Sequence, residues 1–390
     1  MKKHKTLIIQ LTLFIVTVIV TTFAGMEWVT GKTVIVEGLD WELLEKGFIW
    51  YAFPFLAFLT VHEFGHYFVA KWRKVKVTLP YYIPMWIPGV SFGTMGALIR
   101  IKEVIKTKLN YFDIGVAGPL AGFVVAFGFL AYGYANLPEK EFIFDIHPEY
   151  EQYGENYGEY AYQPVYALDE YGKVDSTQLV EVGAFKLGDS ILSKLIKDTF
   201  ADEKLLPHPN ELIHYPFILA GFLGLFFTAL NLMPIGQLDG GHILFSLIGE
   251  KKFNKVSPVL FTSFVFFAGL GFYKVDELNE LFYKEGFQAL WNFLFYVFAV
   301  YVSFSRVTPN VKTNLIIALS VILLQLCVSY LFPDIEGYSG FLAFSVLLGR
   351  FLGIYHPPVI DKKPLNTTRV VLGWISLLIF VLCFSPYPFY

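Results

Sequence analysis

Residues 62–66 read His-Glu-Phe-Gly-His. On a helix, positions i and i+4 share a face, so both imidazoles can reach a single zinc ion. Glu63, between them, is placed to accept a proton from zinc-bound water as that water attacks a carbonyl. The competing reading is a packed, hydrogen-bonded cluster without metal. Three ionisable residues within five positions of an apolar run are costly unless they face a polar interior. Catalytic zinc sites take three protein ligands and a water, so two histidines leave this one a ligand short. Asp239 is the candidate third, in Asn231-Leu232-Met233-Pro234-Ile235-Gly236-Gln237-Leu238-Asp239-Gly240-Gly241-His242. His66 precedes Lys71, and Asp239 precedes Lys251, at separations that put both on the order of 10–15 Å inside the same boundary. A shared ion requires such matching depth.

The elements that must position these residues are membrane spans. The chain is 55% hydrophobic and 16% charged, against roughly a quarter charged for soluble domains. Apolar runs reach the roughly 18–20 residues that cross a bilayer as helix. Candidate spans are 7–25, 48–70, 111–135, 213–249, 256–273, 287–305, 313–332, 340–355 and 370–386. The expected architecture is all-α and polytopic, with about eight or nine transmembrane helices. The first run could be a signal peptide, but it is long and lacks a small-x-small cleavage site, so an uncleaved helix is expected. The span 213–249 is broken by Pro234, Gly236, Gly240 and Gly241, and a break at membrane depth is tolerated where it lines a cavity or is buried in protein. The net charge of −3 predicts no nucleic-acid partner. Cys327 and Cys383 lie inside apolar runs and offer no disulfide framework.

Charge orients the spans. Segment 71–110 carries Lys71, Arg73, Lys74, Lys76, Arg100, Lys102, Lys106 and Lys108 against Glu103. Segments 250–256, 306–312 and 356–369 and the Lys-rich N-terminus are also basic and fall on the same side if spans alternate. The positive-inside rule makes that side cytoplasmic, in a cell membrane. The other side receives 26–47 and the loop 136–212, with sixteen acids and six lysines. In that loop Val180 to Phe200 has spacings that suit an amphipathic helix, lying on the membrane surface or covering the outer face of the bundle; a solvated linker is the alternative. His147, His208 and His214 read as solvated. Residues 80–100 contain three prolines, which exclude a continuous helix. Ser91 to Arg100 reads as a strand, so a short re-entrant β element near the active site is expected.

The pair His62-Glu63-Phe64-Gly65-His66 and Asn231…Pro234…Leu238-Asp239-Gly240 resembles the two signatures of the site-2 protease family of zinc intramembrane metalloproteases, over roughly residues 48–250. The resemblance implies that His62, His66 and Asp239 ligate Zn2+ and that Glu63 is the general base. It also implies that Asn231 polarises the scissile carbonyl. Gly89…Gly93 fits a short family element near the site. The strand 91–100, with Gly93, Thr94, Met95 and Gly96 as substrate-binding residues, looks like the edge along which such enzymes extend a substrate. The implied partners are a transmembrane protein or peptide substrate and the lipid bilayer. Nothing here resembles the PDZ domain of many bacterial relatives. His242 is expected to orient or pack rather than act as a fourth ligand, because the family fills that position with water. His356-Pro357-Pro358 reads as a turn or as part of an access route. Gly115, Gly118 and Gly122, and Ala220, Gly224 and Thr228, favour close helix contacts.

The expected organisation is a first transmembrane helix and outer loop (1–47), a core with the HExxH helix and re-entrant strand (48–135), and the acidic extracytoplasmic loop (136–212). A second core segment (213–255) and additional transmembrane helices (256–390) follow. Two rival readings are a silent scaffold and a transporter. A catalytically silent scaffold would leave a chemical position unfilled, and all are filled here. A transporter would show a matching broken segment in its other half, and 313–386 has its prolines in loops or at helix ends.

Overall fold

The computed structural model describes residues 2–89, 91–163, 165–168, 174–180, 186–275, 283 and 286–390. Its long elements are α1 (Lys2–Thr30), α2 (Phe53–Trp72), strands β1 (Tyr81–Pro84) and β2 (Thr94–Leu98), α3 (Lys108–Ala135) and the β-hairpin β3 (Val165–Leu168) and β4 (Val174–Val180). There follow α4 (Ile191–Phe200), α5 (Pro216–Leu232), α6 (Asp239–Ile248), α7 (Glu250–Gly269), α8 (Phe287–Phe304), α9 (Val311–Leu331), α10 (Phe341–Val346) and α11 (Thr367–Cys383). A π-turn, Phe48–Ala52, leads into α2, and Pro54 sits in its first turn, where a missing N–H costs nothing.

Among the described residues, five helical segments are long and apolar enough to cross a membrane: His4–Thr30, Trp41–Trp72, Lys108–Ala135, Phe287–Phe304 and Val311–Leu331. The expected eight or nine spans are not reached by this measure. The difference has local causes. The break after Leu232 divides 213–249 into two short helices, α7 opens on Glu250, Lys251, Lys252 and Lys255, and the apolar helices at 341–352 and 367–383 are shorter.

The centre of the molecule is α3 packed against α2 and α5. Phe55, Phe58 and Leu59 of α2, Ala126 and Leu130 of α3, and Leu219 and Leu223 of α5 are buried in one cluster. A second cluster joins α7, α8, α9 and α10 through Phe261, Val265, Val300, Phe304, Ala318 and Phe341.

The basic segments meet at one end. Asp361 accepts the Lys108 N–H at 3.0 Å through its backbone carbonyl, and Lys362 pairs with Glu250 at 2.5 Å. Asp113 in the first turns of α3 receives both Arg73 from the end of α2 and Arg369 from the start of α11. At the opposite end the loop after α3 packs on the turn that leads into α2: Trp50 stacks on Phe142 with ring centres 5.9 Å apart. There the C-terminus also pairs with the loop, with the Gly188 N–H donating to the Pro388 carbonyl at 2.9 Å.

The segment between α2 and α3 enters from the basic end and returns to it. Val77 bridges Ile101 at the base, while at the tip Trp28 Nε1 donates to the Ser91 carbonyl at 3.1 Å, near the far end of α1. β1 and β2 are antiparallel, pairing Tyr81 with Leu98 and Tyr82 with Ala97. The register shifts before Pro84, which has no N–H to donate. The regular strand is shorter than the expected 91–100.

Two expectations for the outer loop are corrected. The helix reaches only from Ile191 to Phe200, because Leu187 bridges Phe389 and Ser190 forms a reciprocal cap with Ser193. Residues 181–185 of the expected helix lie outside the described residues. Leu192 and Ile196 are buried as α4 packs on α3 and α11. The histidines are not simply solvated either. His214 is 5% exposed, His147 stacks on Tyr150 at 4.7 Å and His208 on Tyr162 at 4.4 Å.

Candidate metal centre

His62 and His66 lie on one face of α2, buried against α3, with their Nε2 atoms 3.1 Å apart. Asp239 opens α6, and its Oδ2 lies 3.6 Å from His62 Nε2 and 3.2 Å from His66 Nε2. Ligands placed around zinc at about 2.0–2.1 Å stand roughly 3.3 Å from one another in a tetrahedron. The three donors therefore fit one zinc-sized ion. His66 Nδ1 is 2.7 Å from the Ile114 carbonyl. A carbonyl only accepts, so Nδ1 carries the proton and Nε2 presents its lone pair to the centre. His62 Nδ1 is buried with no hydrogen-bond partner among the described residues.

The close fit of α3 to α2 depends on Gly118. A Cβ there would lie 2.1 Å from His66 Nε2, so any side chain would displace the imidazole. Glu63, also buried, has its carboxyl against the backbone N–H of Ile99, immediately after β2. The hairpin is tied to the same helix by a 2.8 Å hydrogen bond between the Thr60 and Tyr82 hydroxyls.

Asp239 reaches the histidines because the chain breaks after Leu232. Within the break Met233, Ile235, Gly236 and Leu238 are buried in protein, Pro234 is half-buried and Gln237 is exposed. The Gly236 N–H donates to Ser257 Oγ at 2.9 Å, and that hydroxyl donates to the Ile354 carbonyl at 2.6 Å. α6 then starts hard against the end of α5. A Cβ on Gly240 would lie 1.9 Å from the Leu232 carbonyl oxygen.

The remaining sequence-derived candidates are placed as follows. Asn231 is half-buried in the last turn of α5, and its side chain makes no hydrogen bond among the described residues. Gly93, at φ +82°, packs on the backbone of Thr21 in α1. The buried Thr94 hydroxyl donates to the Ile83 carbonyl at 2.9 Å and accepts the Gly96 N–H at 3.0 Å, while Met95 is exposed. Gly96 has φ +108° with open space where a Cβ would point. His242 lies outside the three-donor group: its Nδ1 is 2.9 Å from His356 Nε2. His356 is itself buried, stacked on Phe245 at 3.5 Å and fixed through Nδ1 to the Pro357 carbonyl at 2.7 Å.

Sequence reasoning missed the ion cluster of Asp113 with Arg73 and Arg369, which ties α2, α3 and α11 together beside the site. Its signal was present: Asp113 is the one acid in the run 111–135.

Over 199 residues the chain is 29% identical to the probable zinc metalloprotease EGY1, chloroplastic, of Oryza sativa subsp. japonica, covering 51% of this chain and 28% of that protein. It is 29% identical over 219 residues to the Arabidopsis thaliana EGY1 protein of the same description, covering 55% and 33%. Against the probable zinc metalloprotease EGY2, chloroplastic, of Oryza sativa subsp. indica, identity is 28% over 218 residues, covering 56% and 32%. The matched region spans no more than about a third of these curated relatives. No solved structure gives a significant match. Residues 50–273 match the model of Peptidase family M50, a stretch that holds α2 and its histidines, the hairpin, α3, and the broken α5–α6 pair with Asp239. The chain belongs to Peptidase family M50, the site-2 protease family.

Proposed function

We propose that this chain is a zinc-dependent intramembrane endopeptidase that hydrolyses peptide bonds in or near transmembrane segments of membrane proteins. The observation that carries the reading is the convergence of His62, His66 and Asp239 within 3.1–3.6 Å of one another, with Glu63 on the same helix. Family membership and the zinc metalloprotease relatives support it.

His62, His66 and Asp239 would hold the ion through Nε2, Nε2 and Oδ2. Bound zinc supplies Lewis acidity to the carbonyl and makes water acidic enough to lose a proton near neutral pH. Glu63 takes that proton from the attacking water and delivers it to the departing amine nitrogen. The Asn231 amide donates to the carbonyl oxygen as negative charge develops there. The buried residues Leu232, Met233, Ile235, Gly236, Leu238 and Gly240 wall the reacting atoms off from lipid on that side.

A helical substrate hides its carbonyls in its own hydrogen bonds, so it must unwind before water can attack. β2 has β1 on one side only, and its free edge suits an extended substrate segment. Gly93, Thr94, Met95 and Gly96 line that edge in this proposal, with Met95 offering an exposed apolar contact. The basic end, where residues 71–110 and 356–369 meet, faces the cytoplasm of a cell membrane, and the acidic loop 136–212 lies outside. The five sequence segments given above are the proposed functional divisions of the chain.

The test is Glu63→Gln in detergent-purified protein, incubated with a membrane-protein substrate. The expected result is unchanged zinc content with cleavage lowered by at least ~10³-fold. Persistent turnover in a zinc-loaded variant would overturn the role of Glu63.

A further inference from the structure

At the end of the molecule opposite the basic segments, a second cluster repeats the donor geometry of the first. His147 follows a short helical turn in the outer loop, and Glu211 and His214 share the turn Pro209–His214 just before α5. His147 Nε2 and His214 Nε2 are 3.3 Å apart, and Glu211 Oε2 lies 3.8 Å from the first and 3.5 Å from the second. In the membrane centre the corresponding separations are 3.1, 3.6 and 3.2 Å.

The groups behind these donors are arranged for a cation. His214 Nδ1 is 2.8 Å from the Val29 carbonyl at the end of α1, so Nδ1 holds the proton and Nε2 is left as a lone pair aimed into the cluster. His66 has the same arrangement with Ile114. His147 Nδ1 faces the Glu149 carboxylate at 3.3 Å, which likewise makes Nδ1 the donor. Glu211 has a fully buried side chain. Its Oε1 accepts from the Tyr162 hydroxyl, but Oε2 has no hydrogen-bond partner among the described residues.

A metal-free network satisfies this poorly. A single hydrogen bond between the two Nε2 atoms needs a second proton on His147 and still leaves the Glu211 oxygen beyond hydrogen-bond reach of both rings. A buried carboxylate oxygen without a donor is costly. One cation at the centre satisfies all three atoms together.

We infer that His147, Glu211 and His214 form a second metal site, on the outer side of the protein, for a divalent transition metal of zinc's class. Two imidazoles and one carboxylate suit zinc, whereas calcium and magnesium take shells of oxygens. His147 keeps a quarter of its side chain exposed, which leaves room for a water as the fourth ligand. The ion fastens the acidic loop to the end of α1 through Val29 and to the start of α5 through Glu211 and His214. Its role is structural.

The site is independent of the peptidase reading, and zinc stoichiometry separates the two. Zinc per chain is measured by elemental analysis on detergent-purified full-length protein after equilibration with zinc and removal of excess. The chains compared are the wild type, His62→Ala/His66→Ala, His147→Ala, and all three substitutions together. The expected values are two, one, one and zero. The His62→Ala/His66→Ala protein should also lose thermal stability on chelation, and Glu211→Gln in that background should abolish the shift. Glu211→Gln preserves side-chain shape, so a monodisperse gel-filtration peak with zinc lost still supports the site. No zinc in His62→Ala/His66→Ala, or a zinc there that His147→Ala and Glu211→Gln leave in place, overturns the proposal. A wild type whose single zinc is lost with His147→Ala supports the outer site and counts against the membrane one.

Discussion

His66 Nε2 stands 3.2 Å from Asp239 Oδ2, although the two residues belong to different helices and are separated in sequence by the whole acidic loop. The contact depends on two close backbone approaches: α3 onto α2 at Gly118, and the start of α6 onto the end of α5 at Gly240. A site built from motif residues alone would not close without them.

Gly118→Ala tests the first approach. The new Cβ would meet the His66 imidazole at 2.1 Å, and overpacking of this kind costs about 1–3 kcal/mol. Displacing a metal ligand by about an ångström is expected to lower cleavage ~10²-fold. Zinc affinity and turnover should fall together. Unchanged activity would mean that the helices separate readily.

Asp113→Asn removes the carboxylate shared by Arg73 and Arg369 and leaves two guanidinium groups facing a neutral amide. Breaking such a partly buried cluster is expected to cost about 2–3 kcal/mol, reduced by the partial exposure of both arginines. Thermal unfolding in detergent checks this. Zinc stoichiometry should be unchanged in the protein that remains folded.

His242→Ala addresses the histidine nearest to Asp239 in sequence. Because His242 pairs with His356 rather than with the three donors, the variant should keep its full complement of zinc. It should lose about 1–3 kcal/mol of stability, since the His356 ring is left with an unpaired nitrogen. A lost zinc equivalent in folded protein would make His242 a ligand.

Met95→Asp probes the free edge of β2. Met95 is exposed, so stability should change by no more than about 0.5 kcal/mol. A charged side chain beside an apolar substrate segment should lower kcat/KM ~10-fold or more through a desolvation cost on binding. Equal kcat/KM for the two proteins would remove Met95 from the substrate path.

The parts of the fold legible in the sequence were those governed by local rules. Pro234, Gly236 and the two glycines after Asp239 marked the break between α5 and α6, and three prolines excluded a helix at 80–100. Depth counted from Lys71 and Lys251 anticipated that Asp239 would come level with His66. Long-range pairing was not legible. Leu187 pairs with Phe389 at the far end of the chain, and this pairing, with the Ser190 cap, limits the amphipathic helix to ten residues. His147 meets His214 only because the loop folds back onto the end of α1. Its sequence surroundings, rich in Tyr, Gly and Glu, resemble a solvated linker. The expected eight or nine spans compare with five full-length apolar helices and three shorter ones among the described residues, because an apolar run does not reveal whether its helix is broken or shortened by packing against neighbours.

The central claim is that two remote motifs hold one ion. The most direct measurement is zinc per chain in wild-type and Asp239→Ala proteins, purified side by side in detergent and checked for folding by gel filtration. The account predicts that Asp239→Ala holds one zinc fewer than the wild type. Equal zinc in two well-folded proteins would contradict it, because the carboxylate 3.2 Å from His66 would then hold no metal.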